Sequence, residues 1–149
     1  MVIAVACDHG GFAVKEACIK ALKERGDEVL DLGTYNGTES VDYPDYGLKA
    51  ALAVKNGQAD KGIVLCGTGI GISIAANKVK GIRCAHVTNV FCAQMASEHN
   101  NANMIAMGGR ISTPEEVYEM TKVFLATSFA GGRHEKRVAK ITAIEDGNF

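Results

Sequence analysis

Residues 63–77 read Ile63-Val-Leu-Cys-Gly-Thr-Gly-Ile-Gly-Ile-Ser-Ile-Ala-Ala-Asn77, and this stretch predicts a strand, a tight turn and a helix. The apolar, β-branched run at 63–65 is typical of a strand buried on both faces. The glycines at 67, 69 and 71 allow a turn in which the backbone comes close to a ligand. From Ile70 to Asn77 the apolar residues recur at helical spacing. The rest of the chain can be interpreted around this unit.

The predicted turn has the features of an anion-binding site. It directs backbone N–H groups and a helix N-terminus toward one point, where anions bind. Cys66 ends the strand facing that positive end, which favours a thiolate acting as nucleophile or base. The turn is neither a P-loop nor the dinucleotide fingerprint, because it lacks Gly-Lys-Ser/Thr and has the spacing Gly-x-Gly-x-Gly. A structural turn with an inert, buried cysteine is the alternative.

The composition is that of one compact α/β domain covering residues 1–149. Of the 149 residues 47% are apolar, with 17 glycines and 2 prolines. A net charge of −1 gives no support for nonspecific binding to nucleic acid or to a membrane surface. We find no apolar run long enough to span a membrane and no signal peptide, so no membrane association is expected.

The five cysteines argue for a reducing, cytoplasmic environment. Their number is odd and no two of them form a Cys-x-x-Cys pair. This pattern argues against a disulfide framework and a structural zinc site. We therefore expect neither a bound metal nor a cofactor.

Strands and helices alternate five times along the chain. Strands are predicted at residues 1–7, 28–32, 63–65, 81–87 and 104–107. Helices are predicted at residues 12–25, 44–57, 70–77, 91–99, 113–127 and 133–145. In the first helix the predicted apolar face consists of Val14, Cys18, Ala21 and Leu22, and Lys15 is predicted on the polar side. This alternation predicts a three-layer α/β/α sandwich around a five-stranded parallel, Rossmann-like sheet. The longest loop, residues 33–44, is of a length that is often functional.

Reactive side chains follow several strands of the predicted sheet. Ligands of such sheets bind outside the carboxyl ends of the strands. Strand one ends at Asp8 and His9, strand three at Cys66 and Thr68, and strand five just before Arg110. Taken singly, Asp8 could cap a helix, and His9 or Arg110 could be solvated surface residues. Their arrival at one sheet edge favours a shared site.

Two further residues fit this edge less simply. His99 and Asn100 stand at the end of the fourth helix, just before strand five, so that helix is expected to bend back over the site. The alternative is that His99 interacts with the negative end of its own helix. His86 is interpreted as a core or near-surface histidine. The remaining cysteines are interpreted as core thiols: Cys7, Cys18, Cys84 and Cys92.

The last helix opens with a basic cluster. Arg133 and Arg137 are one turn apart and share a face, with His134 between them. Cations at a helix N-terminus are unfavourable unless an anion compensates them, and guanidinium groups bind phosphate in bidentate fashion. We therefore favour a phosphate site over a solvated helix start.

A thiol, an imidazole, a carboxylate, backbone donors and a phosphate clamp are sufficient for aldose–ketose isomerisation of a sugar phosphate. A base would move a proton between neighbouring carbons while N–H groups hold the enediolate charge. These residues make that reaction possible without selecting it.

The chain resembles the ribose-5-phosphate isomerase B family, which is shared with the galactose-6-phosphate and allose-6-phosphate isomerases. The resemblance covers essentially all residues. The motifs that carry it are Cys7-Asp8-His9-Gly10-Gly11, Asp42-Tyr43-Pro44, the block from Cys66 to Lys78, Glu98-His99-Asn100, and Gly131-Gly132-Arg133-His134 with Arg137.

The resemblance implies a role for each matching residue. Cys66 would move the proton between C2 and C1, assisted by Thr68. His99 with Asp8 would open the furanose ring. The substrate-binding residues would be Gly67, Gly69 and Gly71 for the enediolate, Tyr43 and Asn100 for the sugar, and His9, Arg110, Arg133 and Arg137 for the phosphate.

The resemblance also implies the reaction and the assembly. Ribose 5-phosphate and ribulose 5-phosphate would be interconverted, a reaction of the pentose phosphate pathway in carbohydrate metabolism. One branch of the family uses a carboxylate of the helix that follows the glycine turn as its base, and another uses a cysteine. Residues 70–77 contain no acid, so the chain resembles the cysteine branch. A homodimer or homotetramer is expected, with the active site at the subunit interface and the C-terminal helix extending to a neighbouring subunit. A six-carbon sugar-phosphate isomerase and a noncatalytic sugar-phosphate-binding domain are the alternatives.

Overall fold

A five-stranded parallel sheet forms the centre of the protein, of which the computed structural model describes residues 1–149. The strand order is β2-β1-β3-β5-β4, and all four pairings are parallel. The strands are β1 Val2–Cys7, β2 Glu28–Asp31, β3 Lys61–Cys66, β4 Cys84–His86 and β5 Met104–Gly108. The predicted fold class is confirmed.

Six helices surround the sheet. They are α1 Phe12–Arg25, α2 Tyr43–Lys55, α3 Ile70–Asn77, α4 Val90–Glu98, α5 Pro114–Ala126 and α6 Arg133–Glu145. Helix α5 begins with a capping box in which Thr113 and Glu116 bond each other's backbone N–H groups. No helix is both long enough and apolar enough to cross a membrane.

Two apolar cores lie on opposite faces of the sheet and make the fold three-layered. One core joins the sheet to helices α1, α4 and α5, and Phe124 of α5 is its largest fully buried side chain. The other joins the sheet to α2 and α3 through small residues such as Ala50 and Ala76. Helix α6 lies outside these layers, and His134 is its only buried residue.

Apart from shifts of one or two residues at the ends of other elements, the structure differs from the sequence prediction at three places. Strand β4 has three residues instead of the predicted seven, because it is an edge strand that pairs only with β5. Lys15, predicted on the polar side of α1, is buried. Cys92, predicted as a core thiol, is exposed, because Ala93 and Ala96 form the face of α4 that packs on the sheet.

Candidate active site

The loops that follow β1, β3 and β5 meet at the carboxyl edge of the sheet. Backbone hydrogen bonds tie them together: the N–H of Asp8 donates to Leu65 O at 3.1 Å, and that of Gly109 donates to Cys66 O at 2.8 Å. The N–H of Arg110 donates to Gly67 O at 2.9 Å. The structure therefore brings these three predicted site segments together.

Asp8 is buried and organises the first of these loops. Its Oδ1 accepts the backbone N–H of Gly10 at 2.8 Å and of Gly11 at 3.1 Å. Gly10 lies directly against the β3 turn, since a Cβ added to it would be 2.9 Å from the nitrogen of Gly67. Asp8 thus holds a turn that is packed beside Cys66.

Cys66 lies at the end of β3 with its sulfur on the turn. The N–H of Gly69 donates to Cys66 Sγ at 3.1 Å, and Cys66 is only 5% exposed. Gly69 has φ of 82°, a left-handed conformation that favours glycine. The sulfur is therefore held in a fixed position at the start of α3.

The backbone after Cys66 offers several free donors. The N–H groups of Gly67, Thr68, Gly71 and Ile72 make no hydrogen bond within the chain, whereas that of Ile70 donates to Thr68 Oγ1 at 3.1 Å. They sit at the N-terminus of α3, where the helix dipole also favours negative charge. The turn can therefore stabilise an anion.

Arg110 and Tyr43 line this turn from two sides. A Cβ added to Gly67 would lie 2.7 Å from Arg110 Nη1, so the guanidinium rests on that glycine. A Cβ added to Gly71 would lie 2.6 Å from Tyr43 Cε1, so the phenol ring covers that one. At both glycines a neighbouring side chain occupies the space that a Cβ would need.

His9 reaches the long loop before α2. Its Nδ1 accepts the N–H of Val41 at 3.1 Å. In the neutral ring the proton is consequently on Nε2. His9 therefore presents a hydrogen-bond donor that an oxyanion can accept.

The other predicted site residues form a second cluster at the opposite edge of the sheet. Helix α4 starts beside the end of β4 and runs back to the start of β5, and Arg83, just before β4, donates to the carbonyls of Asn100 and Asn101. The predicted bend of α4 back over the site is therefore wrong. Within one chain, His99 and Asn100 are separated from Cys66 by the length of β5, about 15 Å.

Helix α6 completes this second cluster. The rings of His99 and His134 stack with their centroids 4.2 Å apart. Burial, His99 and the guanidinium groups of Arg133 and Arg137 lower the pKa of His134. Arg133 and Arg137 are both exposed, so two guanidinium groups face outward from this edge beside the stacked histidines.

The remaining thiols differ from Cys66 in their surroundings. Burial raises the pKa of Cys7 to about 11, and of Cys18 and Cys84 to about 12. None of the five cysteines forms a disulfide. No group of three or more His, Cys, Asp or Glu side chains is placed to hold a metal ion.

One contact at the turn was not anticipated from the sequence. His86, at the end of β4, is exposed, and its Nε2 lies 2.8 Å from Thr68 O. The only signal in the sequence was the position of His86 near the end of a predicted strand. The interpretation of His86 as a core or near-surface histidine did not take that position into account.

The family model and the similar proteins found by comparison agree with one another. The family model described as Ribose/Galactose Isomerase matches residues 3–141. Ribose-5-phosphate isomerase B of Escherichia coli (strain K12) is 46% identical over 143 residues, which are 96% of this chain and 95% of the relative. Galactose-6-phosphate isomerase subunit LacB of Clostridium acetobutylicum is 43% identical over 140 residues, 94% of this chain and 80% of the relative.

The fold comparison points in the same direction. The solved structure of ribose-5-phosphate isomerase B from Clostridium thermocellum superposes with a TM-score of 0.95. Its sequence is 51% identical, and the match covers 100% of both chains.

Proposed function

The chain belongs to the ribose/galactose isomerase family, and we propose that residues 1–149 act as one domain that interconverts D-ribose 5-phosphate and D-ribulose 5-phosphate. The observation that carries this proposal is the Cys66 thiol, which accepts the Gly69 N–H at the start of α3. Beside it are Asp8, Arg110 and several unpaired N–H groups. This is the equipment for moving a proton next to an anionic oxygen.

The chemical step is a proton transfer from C2 to C1 of the open-chain sugar. The Cys66 thiolate takes the proton from C2 of the aldose, which leaves an enediolate. The free N–H groups of Gly67 and Gly71 stabilise its charge, with Gly69 holding the thiolate and Thr68 assisting. Cys66 then returns the proton to C1 while the proton of the C2 hydroxyl passes to O1, and the carbonyl is left at C2. His9 and Arg110 bind the phosphate, and Tyr43 contacts the sugar.

Ring opening and part of the phosphate site come from a second copy of the chain. His99 and Asn100 lie at the edge of the sheet opposite to Cys66, about 15 Å away by the length of β5. In a homodimer, or a homotetramer built from such dimers, a twofold axis brings the far edge of one subunit onto the turn of the other. His99 then opens the furanose with Asp8, while Arg133 and Arg137 contact the phosphate.

A six-carbon sugar phosphate is the second candidate substrate. The similarity to a galactose-6-phosphate isomerase subunit is the observation that favours it. An extra carbon needs more space between the phosphate-binding arginines and Cys66. This chain carries Cys66, His99 and both arginines of α6. Copies of this chain alone therefore supply all the side chains that the five-carbon reaction is proposed to use.

We place the enzyme in the cytoplasm. All five of its thiols are free, and four of them are buried in or beside the apolar cores. Such thiols persist in a reducing compartment.

Isomerisation of ribose 5-phosphate by the purified protein tests this proposal. We expect turnover that falls by roughly a thousandfold or more in Cys66→Ala, because a catalytic base is lost. Cys92→Ala is the matched control, since that thiol is exposed on α4, and it should retain full activity.

The same assay with allose 6-phosphate distinguishes the substrates. Faster turnover of allose 6-phosphate would move the assignment to the six-carbon isomerases. Activity that survives in Cys66→Ala would exclude Cys66 as the base. Tight binding of both sugars without turnover would contradict the enzyme assignment and favour a binding domain.

A further inference from the structure

One peptide group connects His86 with the Cys66 thiol. The carbonyl of Thr68 can only accept, so the 2.8 Å contact with His86 is a hydrogen bond donated by Nε2–H. The N–H of the same peptide belongs to Gly69 and donates to Cys66 Sγ at 3.1 Å. In a trans peptide the C=O and N–H point in opposite directions. His86 and Cys66 are therefore hydrogen-bonded to the opposite ends of one peptide group.

The surroundings fix this peptide plane. A Cβ added to Gly108 of β5 would lie 2.5 Å from the carbonyl carbon of Thr68, so the peptide rests on the bare backbone of that strand. A Cβ added to Gly69 would lie 2.8 Å from His86 Cδ2, so the imidazole contacts the turn as well as bonding to it. The peptide is thus enclosed between β5 and the side chain at the end of β4.

The hydrogen bond to His86 also changes how α3 begins. In a longer helix the carbonyl of Thr68 would accept the N–H of Ile72. Here it accepts from His86, and the Ile72 N–H stays without a partner at the anion-binding turn. The same contact consequently orients the donor to Cys66 and leaves a donor free for substrate.

We propose that His86 is a positioning residue that orients and polarises the Thr68–Gly69 peptide toward Cys66. The inference rests on the proposed function in assigning Cys66 as the base, but its effect on the thiol can be measured without turnover. A donor on the carbonyl strengthens the N–H of the same peptide, because hydrogen bonds in a chain polarise one another. The Gly69 N–H then favours the thiolate and fixes its direction.

The test compares His86→Phe with His86→Gln. Phenylalanine keeps a ring against Gly69 but has no donor, whereas glutamine keeps an N–H that can reach Thr68 O. The first measurement is the pH midpoint of carbamidomethylation of the Cys66 peptide by iodoacetamide, quantified by mass spectrometry so that exposed Cys92 does not interfere. The second is kcat and KM for ribose 5-phosphate.

We expect His86→Phe to raise the pH midpoint for Cys66 by about half a unit or more and to lower kcat roughly five- to tenfold, as for the loss of one hydrogen bond. KM should change less than twofold, since His86 is not one of the proposed substrate-binding residues. His86→Gln should restore most of both values. Asp8 and Arg110 are present in all variants, so their charges do not contribute to the difference.

Thr88→Val, at an exposed position two residues further along, is the control for substitution at this edge. An unchanged pH midpoint and kcat in His86→Phe would overturn the inference, as would equal losses in His86→Phe and His86→Gln. A wild-type protein without turnover whose Cys66 midpoint still moves in His86→Phe would sustain the inference and refute the proposed function.

Discussion

The ring of Tyr43 occupies the space that a side chain on Gly71 would fill. Gly71 is inside α3, where alanine is favoured over glycine by about 1 kcal/mol. An added Cβ would nevertheless lie 2.6 Å from the Tyr43 ring. The ring is half exposed and can move away, so the collision displaces a substrate contact and leaves the fold intact. This is the conflict between stability and activity that is common at functional sites.

Gly71→Ala should therefore raise KM for ribose 5-phosphate several-fold while its thermal midpoint is unchanged or higher. The matched substitution is Gly57→Ala, where nothing lies within 4 Å but φ is +76°. It should cost about 1 kcal/mol of stability through backbone strain and leave KM unchanged. Steady-state kinetics and thermal unfolding of both variants test this prediction. A normal KM in Gly71→Ala would contradict the placement of the Tyr43 ring against Gly71 in the substrate site.

At the scale of elements, the local pattern determined most of the fold. The periodicity of α1 predicted its buried face correctly at Val14, Cys18 and Leu22. Helix α6 begins and ends where its sequence predicted. The error in β4 arose because the length of the strand within residues 81–87 cannot be determined until its pairing with β5 is known.

The candidate site was predictable only in part, for a physical reason. Residues that follow strands, such as Asp8 and Cys66, can be placed at one edge because all strands are parallel. His99 follows a helix, and the crossover geometry carries it to the other edge. A sequence does not distinguish two residues that meet within a chain from two that meet between chains. The expected bend of α4 resulted from assuming a single chain.

Lys15 links helix α1 to the long loop between β2 and α2, which contains Val41. Its Nζ lies 2.6 Å from Asp31 Oδ1 and donates to Thr34 O at 2.8 Å, and the residue is only 4% exposed. Removing a buried cation leaves its partners uncompensated. The side chain of Asp31 is 35% exposed, so water screens part of the loss.

We expect Lys15→Met to lower the free energy of unfolding by about 2 kcal/mol, measured from the urea midpoint. KM should rise as well, because the loop supplies the Val41 N–H that orients His9. Lys23→Met, an exposed change on the same helix, should alter neither quantity. Equal urea midpoints for the two variants would show that the ion pair does not hold the loop.

At the scale of the whole molecule, the chain presents two incomplete sites on opposite edges. One edge carries the thiol, the free N–H groups and Asp8, and the other carries the stacked His99 and His134 with the arginines of α6. Neither edge alone carries all the side chains that the proposed reaction uses. Subunit exchange between inactive variants can therefore test whether the two edges act together.

Cys66→Ala and His99→Ala should each be nearly inactive when pure. If equal amounts are unfolded and refolded together, half of the dimers contain one of each chain. Each mixed dimer has one site with both substitutions and one site with neither. The mixture should regain about a quarter of wild-type activity, because the twofold symmetry pairs unlike edges. A site built within one chain would regain none, since every chain in the mixture would still carry a substitution.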